Sequence, residues 1–280
     1  MDSHPEMDAP PRALPSRGAD LDRPNPARIY DYALGGRANF AADRAAFDAL
    51  AAVYPDTALA ARANRAFLRR AVAFLASQGI DQFLDVGSGL PTAGNVHEVA
   101  RAVNPAARVV YVDNDPVAVR FSRQLLAEEK IPGVAAIEAD LRDPAAILAH
   151  PRTRALLDLD RPVALLLMTV LHFISDDDEA RQGLRELTEA VSPSSYLAIT
   201  HATLEGAPEA FTRFAQLYEE TTRPLGLRPR AAVESFFAGF ALVEPGLVYV
   251  PAWQPDGTDD PLRDEPERAS NWAGVGRKLD

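Results

Sequence analysis

No cysteine occurs in the 280 residues, which excludes a disulfide framework and thiolate chemistry alike. Basic residues are in deficit: 29 Lys and Arg face 40 Asp and Glu, a net charge of −11 with a pI near 5.0. That balance counts against a nucleic-acid backbone or an anionic membrane surface as partner. Long apolar runs are missing too, since the longest, Val163 to Leu171, is too short to span a bilayer. No hydrophobic signal region follows Met1. The expectation is a soluble cytoplasmic protein whose apolar fraction of 47% is ample for one large domain with additions.

Residues 1–24 carry five prolines and little apolar content, so they read as a disordered arm. Residues 25–79 read as an N-terminal helical cap. Asn25 caps a first helix, Pro26 takes its first position, and Gly35 with Gly36 end it. Helices at 41–53 and 57–77 follow. The Gly-Gly-Arg-Ala-Asn-Phe connector suggests a lid, with Tyr30, Tyr32, Asn39 and Phe40 over a ligand. The bland reading is that these aromatics are core.

From residue 80 onward, apolar runs at 82–86, 108–112, 134–138, 162–168 and 195–200 alternate with helix-period segments at 91–103, 116–129, 143–157 and 176–191. Strands separated by helices of this length imply right-handed crossovers and a parallel sheet covered on both faces. Helices near 208–222 and 230–238 follow, then strands at 240–243 and 247–250 and a last strand at 272–278. The expected fold is α/β and Rossmann-like: seven strands, mostly parallel, closed by an antiparallel C-terminal strand and flanked by helices. Residues 80–280 form that domain.

A ligand of such a sheet sits outside the carboxyl ends of the strands. The first strand ends in Asp85-Val-Gly-Ser-Gly-Leu-Pro91, a strand, a glycine turn at Gly87 and Gly89, and a helix expected from Pro91. A third glycine at position 92 would indicate a dinucleotide; Thr92 stands there instead. The second strand ends at Asp113, about 24 residues after Gly89, placed for ribose hydroxyls, while Asp115 before Pro116 reads as a helix cap. The third ends at Asp140, placed for an adenine amino group with the next backbone N–H on a ring nitrogen. Asp85 can face an ammonium. Ser88, Asn114 and Leu141 stand beside these as further cofactor contacts. Together the set points to S-adenosylmethionine.

These residues resemble a known group. Asp-Val-Gly-Ser-Gly (85–89), Tyr-Val-Asp-Asn-Asp-Pro (111–116) and Glu-Ala-Asp-Leu (138–141) are similar to class I S-adenosylmethionine-dependent methyltransferases. Asn-Arg-Ala-Phe-Leu-Arg-Arg (64–70), Gln82-Phe-Leu-Asp85, Gly89-Leu-Pro-Thr92, Asn95-Val-His-Glu98 and Leu171-His-Phe-Ile174 resemble, more narrowly, a bacterial subfamily. That group was catalogued as a domain of unknown function and later labelled S-adenosyl methyltransferase. The resemblance covers residues 25–279 and implies a seven-stranded sheet with Asp85, Gly87, Gly89, Asp113 and Asp140 in cofactor roles. Pro91-Thr92 departs from the general class, and the subfamily shares it.

His172 and His201 end the fourth and fifth strands, where a methyl acceptor would sit, and are the candidate catalytic residues. A general base is needed only for a hydroxyl or a protonated amine. His97 reads as structural, and His4 and His150 suggest no chemistry. Asp176-Asp-Asp-Glu179 reads as a helix N-terminus rather than a metal site, so no metal is expected. Phe211, Phe214, Tyr218, Phe236 and Phe237 supply apolar cover, which favours a small, partly apolar acceptor. The competing readings are a non-catalytic S-adenosylmethionine-binding module and an NAD-linked oxidoreductase.

Overall fold

The computed structural model describes residues 21–91, 94–221, 224–257 and 260–280. The expected arm therefore lies almost wholly outside the described residues. Fully buried five-residue strands β1 (Gln82–Val86) and β4 (Ala164–Met168) form the middle of the sheet. Near-continuous apolar sequence of this kind suits strands covered on both faces. Outward from β1 lie β2 (Arg108–Asp113) and β3 (Val134–Glu138); outward from β4 lies β5 (Tyr196–Ala202). All five are parallel, and the order reverses between β1 and β4.

The far edge is antiparallel. β8 (Asn271–Lys278) pairs with β5 along seven positions, from Tyr196 with Arg277 to Ala202 with Asn271. Its other edge carries β6 (Phe240–Leu242) at one end and β7 (Val248–Tyr249) at the other. The sheet runs in the order 3-2-1-4-5-8-6, and β7, within the run expected at 247–250, lies off that path, so eight strands stand where seven were expected. Two residues long, β7 pairs with β8 and not with β6.

Helices α4 (Val96–Val103), α5 (Pro116–Glu128), α6 (Pro144–Ala149), α7 (Pro151–Leu156) and α8 (Asp177–Ala190) are the crossovers. Two differ from the sequence pattern. The single helix expected over 143–157 is broken at Pro151, whose ring cannot supply the amide hydrogen a continuous helix needs. The helix expected from Pro91 starts at Val96, because Asn95 and Glu98 form a capping box there: Glu98 Oε2 accepts the N–H groups of Asn95 (2.8 Å) and Gly94 (2.9 Å).

Before the sheet come α1 (Pro26–Ala33), α2 (Ala41–Val53) and α3 (Thr57–Ser77). α3 lays Phe67, Ala71 and Leu75 into the core against β4, β5 and β8, and Phe67 meets Trp253 edge-on at 5.2 Å. Buried Arg70 ties α3 to the segment ahead of β8. It donates to the Trp253 (3.0 Å) and Val250 (3.1 Å) carbonyls and pairs with Asp260 at 3.0 Å. Helices α9 (Glu209–Thr221) and α10 (Arg230–Ser235) follow β5. Among the described residues no helix is long and apolar enough to cross a membrane.

Candidate active site

The turn after β1 exists because β2 clamps it. Gly87 and Ser88 both donate to the Val112 carbonyl, at 2.8 and 3.0 Å, and the Gly89 N–H donates to Asp113 Oδ2 at 2.7 Å. Gly87 sits at φ 76°, and a Cβ there would stand 2.4 Å from Val170. Glycine is required twice over, by backbone conformation and by space. The late start of α4 has an electrostatic consequence. The helix terminus and its partial positive charge are separated in sequence from the turn by Leu90 to Asn95, and the turn's own N–H groups are spent on Val112 and Asp113.

Asp85, Asp113 and Asp140 line one cavity of about 270 Å³ along the strand ends, together with Gly87, Ser88, Gly89, Asn114 and Leu141. Burial pushes the Asp85 carboxyl up to about 7, against the opposing pull of Arg65. Asp113 is raised above the usual aspartate range, also by burial, although it accepts from Gly89 and from the Asp115 N–H at 2.8 Å. Asp115 caps α5 through the Val117 N–H at 2.9 Å, as its place before Pro116 suggests. Asp140 differs from the other two. The Arg142 guanidinium grips it through Nε (2.9 Å) and Nη2 (2.6 Å), Asn114 Nδ2 adds a bond at 3.0 Å, and the carboxyl is held well below the usual range. Asn114, Asp140 and Arg142 together latch the ends of β2 and β3.

The cavity continues past β4. Thr169, at φ 50°, donates from its N–H to Thr200 Oγ1 at 2.9 Å and leads into a 3-10 turn, Leu171–Phe173. His172 in that turn lines the cavity, and its Nδ1 accepts the Ala202 N–H at 3.4 Å. His201 does not reach the wall. Fully buried behind it, His201 donates from Nδ1 to the Ala202 carbonyl (2.8 Å) and accepts from Arg228 at Nε2 (3.0 Å). The carbonyl can only accept and the guanidinium can only donate, so this neutral tautomer is fixed. Burial, then Arg228, push His201 down to about 4 in spite of its carbonyl bond, and burial with His201 and Arg228 drives His172 well below the usual histidine range. Arg228 itself is buried, bound to the Leu171 and Ile174 carbonyls and to Asp177.

Of the four residues expected in a lid, Tyr30 lines the cavity; its hydroxyl donates to the Ala61 carbonyl at 3.0 Å and accepts from Asn64 at 2.9 Å. Tyr32, Asn39 and Phe40 lie off the wall. Tyr32 packs edge-on against Phe47, Asn39 donates to Asp31 and to the Gly36 carbonyl, and Phe40 lies under the Arg28 guanidinium. Phe211, Phe214 and Tyr218 reach the wall, whereas Phe236 and Phe237 belong to the sheet core. His97 is buried with Nδ1 2.7 Å from the Tyr111 hydroxyl, and Asp176 caps α8. Sequence reasoning missed Arg65, Arg142, Tyr54, Phe173, Arg228 and Asn271. Arg142 and Phe173 each adjoin a residue it had picked out, and Arg65 lies in the 64–70 motif without having been given a role; the others carry no local signal.

The cradle fits a nucleoside with an amino-acid tail. A Cβ would fill it at Gly87, carboxylates stand at three successive strand ends, and Arg65 lies beside Asp85. A model of the S-adenosyl methyltransferase family matches residues 12–279. A DUF574 family protein from Streptomyces avermitilis is 44% identical with a TM-score of 0.87, over 92% of this chain and 100% of that one. A protein from Thermobifida fusca assigned to the methyltransferases is 43% identical, also at 0.87, over 95% and 99%. An O-methyltransferase family protein from Burkholderia thailandensis shares the fold alone, at 16% identity and a TM-score of 0.51, over 80% of this chain and 60% of that one. No curated protein matches the chain.

Proposed function

The chain belongs to the S-adenosyl methyltransferase family, and from that premise we propose that it methylates a small, partly apolar molecule. The observation that carries this reading is one cavity joining acid-lined strand ends to a wall of aromatic rings. S-adenosylmethionine, when bound, supplies a methyl group already activated on a sulfonium. The protein's task is then to hold the two partners in line and keep water out.

Within this proposal Asp113 takes the ribose hydroxyls, with Gly87, Ser88 and Gly89 giving the backbone its close approach. Asp140 and the Leu141 N–H take the adenine edge, supported by Asn114. Asp85 faces the ammonium, and Arg65 faces the carboxylate of the same amino-acid tail. His172 meets the acceptor; His201 holds Arg228 behind it and acts through position. Tyr30 covers the cofactor from α1. The reading also places the protein in the cytoplasm and divides it into a helical cap (25–79) and a cofactor-binding domain (80–280). Its partner is a small methyl acceptor, since the net charge of −11 counts against nucleic acid.

Calorimetric titration with S-adenosylmethionine, S-adenosylhomocysteine and NADH tests it. Micromolar binding of the first two and none of NADH is expected. Absence of binding by both sulfur ligands overturns the proposal. Binding without methyl transfer to anything in a metabolite extract would make the protein a non-catalytic binding module.

A further inference from the structure

The cavity wall beyond β4 is built from rings in a continuous arc. His172 meets Phe173 at 4.4 Å, Phe173 stacks on Tyr218 at 6.2 Å, and Tyr218 meets Phe214 at 5.7 Å. Phe214 stacks on Phe211 at 5.2 Å, and Phe211 meets Tyr54 at 5.4 Å. Three elements far apart in sequence supply them: the end of α2, the turn after β4, and two successive turns of α9. Apolar ring surface of this extent, part stacked and part edge-on, favours an aromatic ring packed against it.

Charge on the two sides of the cavity is unequal. Among the described residues, the carboxylates on the wall are Asp85, Asp113, Asp115 and Asp140, all at the ends of β1 to β3. None stands along the arc. Behind the arc lies the Arg228 guanidinium, and His172 is held neutral. Arg228 is already paired with Asp177, so an ammonium group placed here would be desolvated with no carboxylate of its own on this wall.

Two polar groups interrupt the arc at one spot. His172 and Asn271 flank Ala202, His172 through the Ala202 N–H and Asn271 as its cross-strand partner. Nδ1 of His172 accepts, so the neutral ring carries its proton on Nε2 and can donate there. Asn271 spends its amide N–H on the Ala269 carbonyl at 2.8 Å, which leaves Oδ1 as acceptor, and that oxygen is buried without a partner. A donor and an unpartnered acceptor on two residues that both neighbour Ala202 and line the cavity match a hydroxyl, which does both.

We propose that the acceptor is an uncharged hydroxyarene. Its ring lies along the arc from Phe173 to Tyr54, and its hydroxyl sits between His172 and Asn271. The proposal rests on the methyltransferase reading. Transfer to that oxygen forms an O–CH3 bond while the sulfonium C–S bond breaks with its electron pair left on sulfur. The hydroxyl proton leaves to water at the cavity mouth, which serves as the base, and the product is an aryl methyl ether. His172 acts as hydrogen-bond donor to the oxygen and not as its base.

The test uses the full chain saturated with S-adenosylhomocysteine, with 2-naphthol, 2-naphthylmethylamine and naphthalene as probes in calorimetry. Failure of S-adenosylhomocysteine to bind removes the underlying reading and is scored separately. With it bound, 2-naphthol is expected to bind at least tenfold more tightly than the amine or the bare hydrocarbon. His172→Phe and Asn271→Leu are expected to erase most of the preference for 2-naphthol over naphthalene, a difference that a merely structural role would not move. Equal or tighter binding of the amine, no binding of 2-naphthol, or a hydroxyl preference untouched in both variants overturns the proposal. The wild-type comparison stands even if a variant does not fold.

Discussion

Three aspartates of the same type behave differently because their surroundings differ. Asp140 is charged and gripped by Arg142; Asp113 is shared among backbone N–H groups; Asp85 is buried with Arg65 as its nearest relief. Removing Asp113 deletes an acceptor for Gly89 as well as a ribose contact. Asp113→Ala is expected to weaken S-adenosylmethionine binding by about 1.5–3 kcal/mol in calorimetry, and unchanged affinity would remove the assignment at β2. The Asp85 carboxyl, raised to about 7, keeps its proton in the folded state where the unfolded chain has lost it. Asp85 therefore contributes a loss of stability as pH rises from about 4 to about 7. Asp85→Asn removes that contribution. Urea denaturation should find the variant more stable than wild type at pH 8, by on the order of 2–4 kcal/mol, and equal to it at pH 4. The three acids were legible in the sequence because each ends a strand, and strand ends can be read from local pattern. Their different ionisation was not, since it depends on neighbours that only folding supplies.

At the level of elements, the turn after β1 is the most constrained. Gly87→Ala would place a methyl group against Val170 at a backbone angle that alanine rarely adopts. A melting curve should register about 1–3 kcal/mol of destabilisation, together with loss of S-adenosylhomocysteine binding. Val170→Ala in the same chain should not restore either, because the Val170 Cβ would itself stand 2.6 Å away. Full rescue by that second change would show that side-chain crowding alone sets the requirement. The glycine turn was evident from Gly87 and Gly89, but the helix start was misplaced at Pro91. Proline suits a first helical position anywhere, and here the reciprocal bonds of Asn95 and Glu98 decide the matter at Val96. The aromatics of the expected lid separated for a similar reason. One helical face of α1 puts Tyr30 on the cavity, while Tyr32, two residues on, turns to Phe47.

Across the whole molecule, α3 and the sheet are a single packed unit. Arg70, buried at 6% exposure, joins α3 to Trp253 and Asp260, so the helical cap is not hinged at this contact. Denaturation followed by Trp fluorescence and by circular dichroism is expected to give coincident midpoints; a cap that melts ahead of the sheet would contradict this. Asp260→Asn strands the Arg70 charge and should cost about 3 kcal/mol by the same measurement. The sequence by itself determined the alternation of strands and helices, the parallel sheet with its antiparallel end, and the acids at three strand ends. Hydrophobic period, turn residues and strand-terminal positions are local properties. Tertiary structure alone decided that His172 faces the cavity while His201 lies behind it against Arg228, 27 residues away in sequence. It alone gathered Tyr54, Phe173, Phe211 and Asn271 onto one wall. Such meetings are set by how helices and strands pack across the sheet, and no local pattern of residues encodes them.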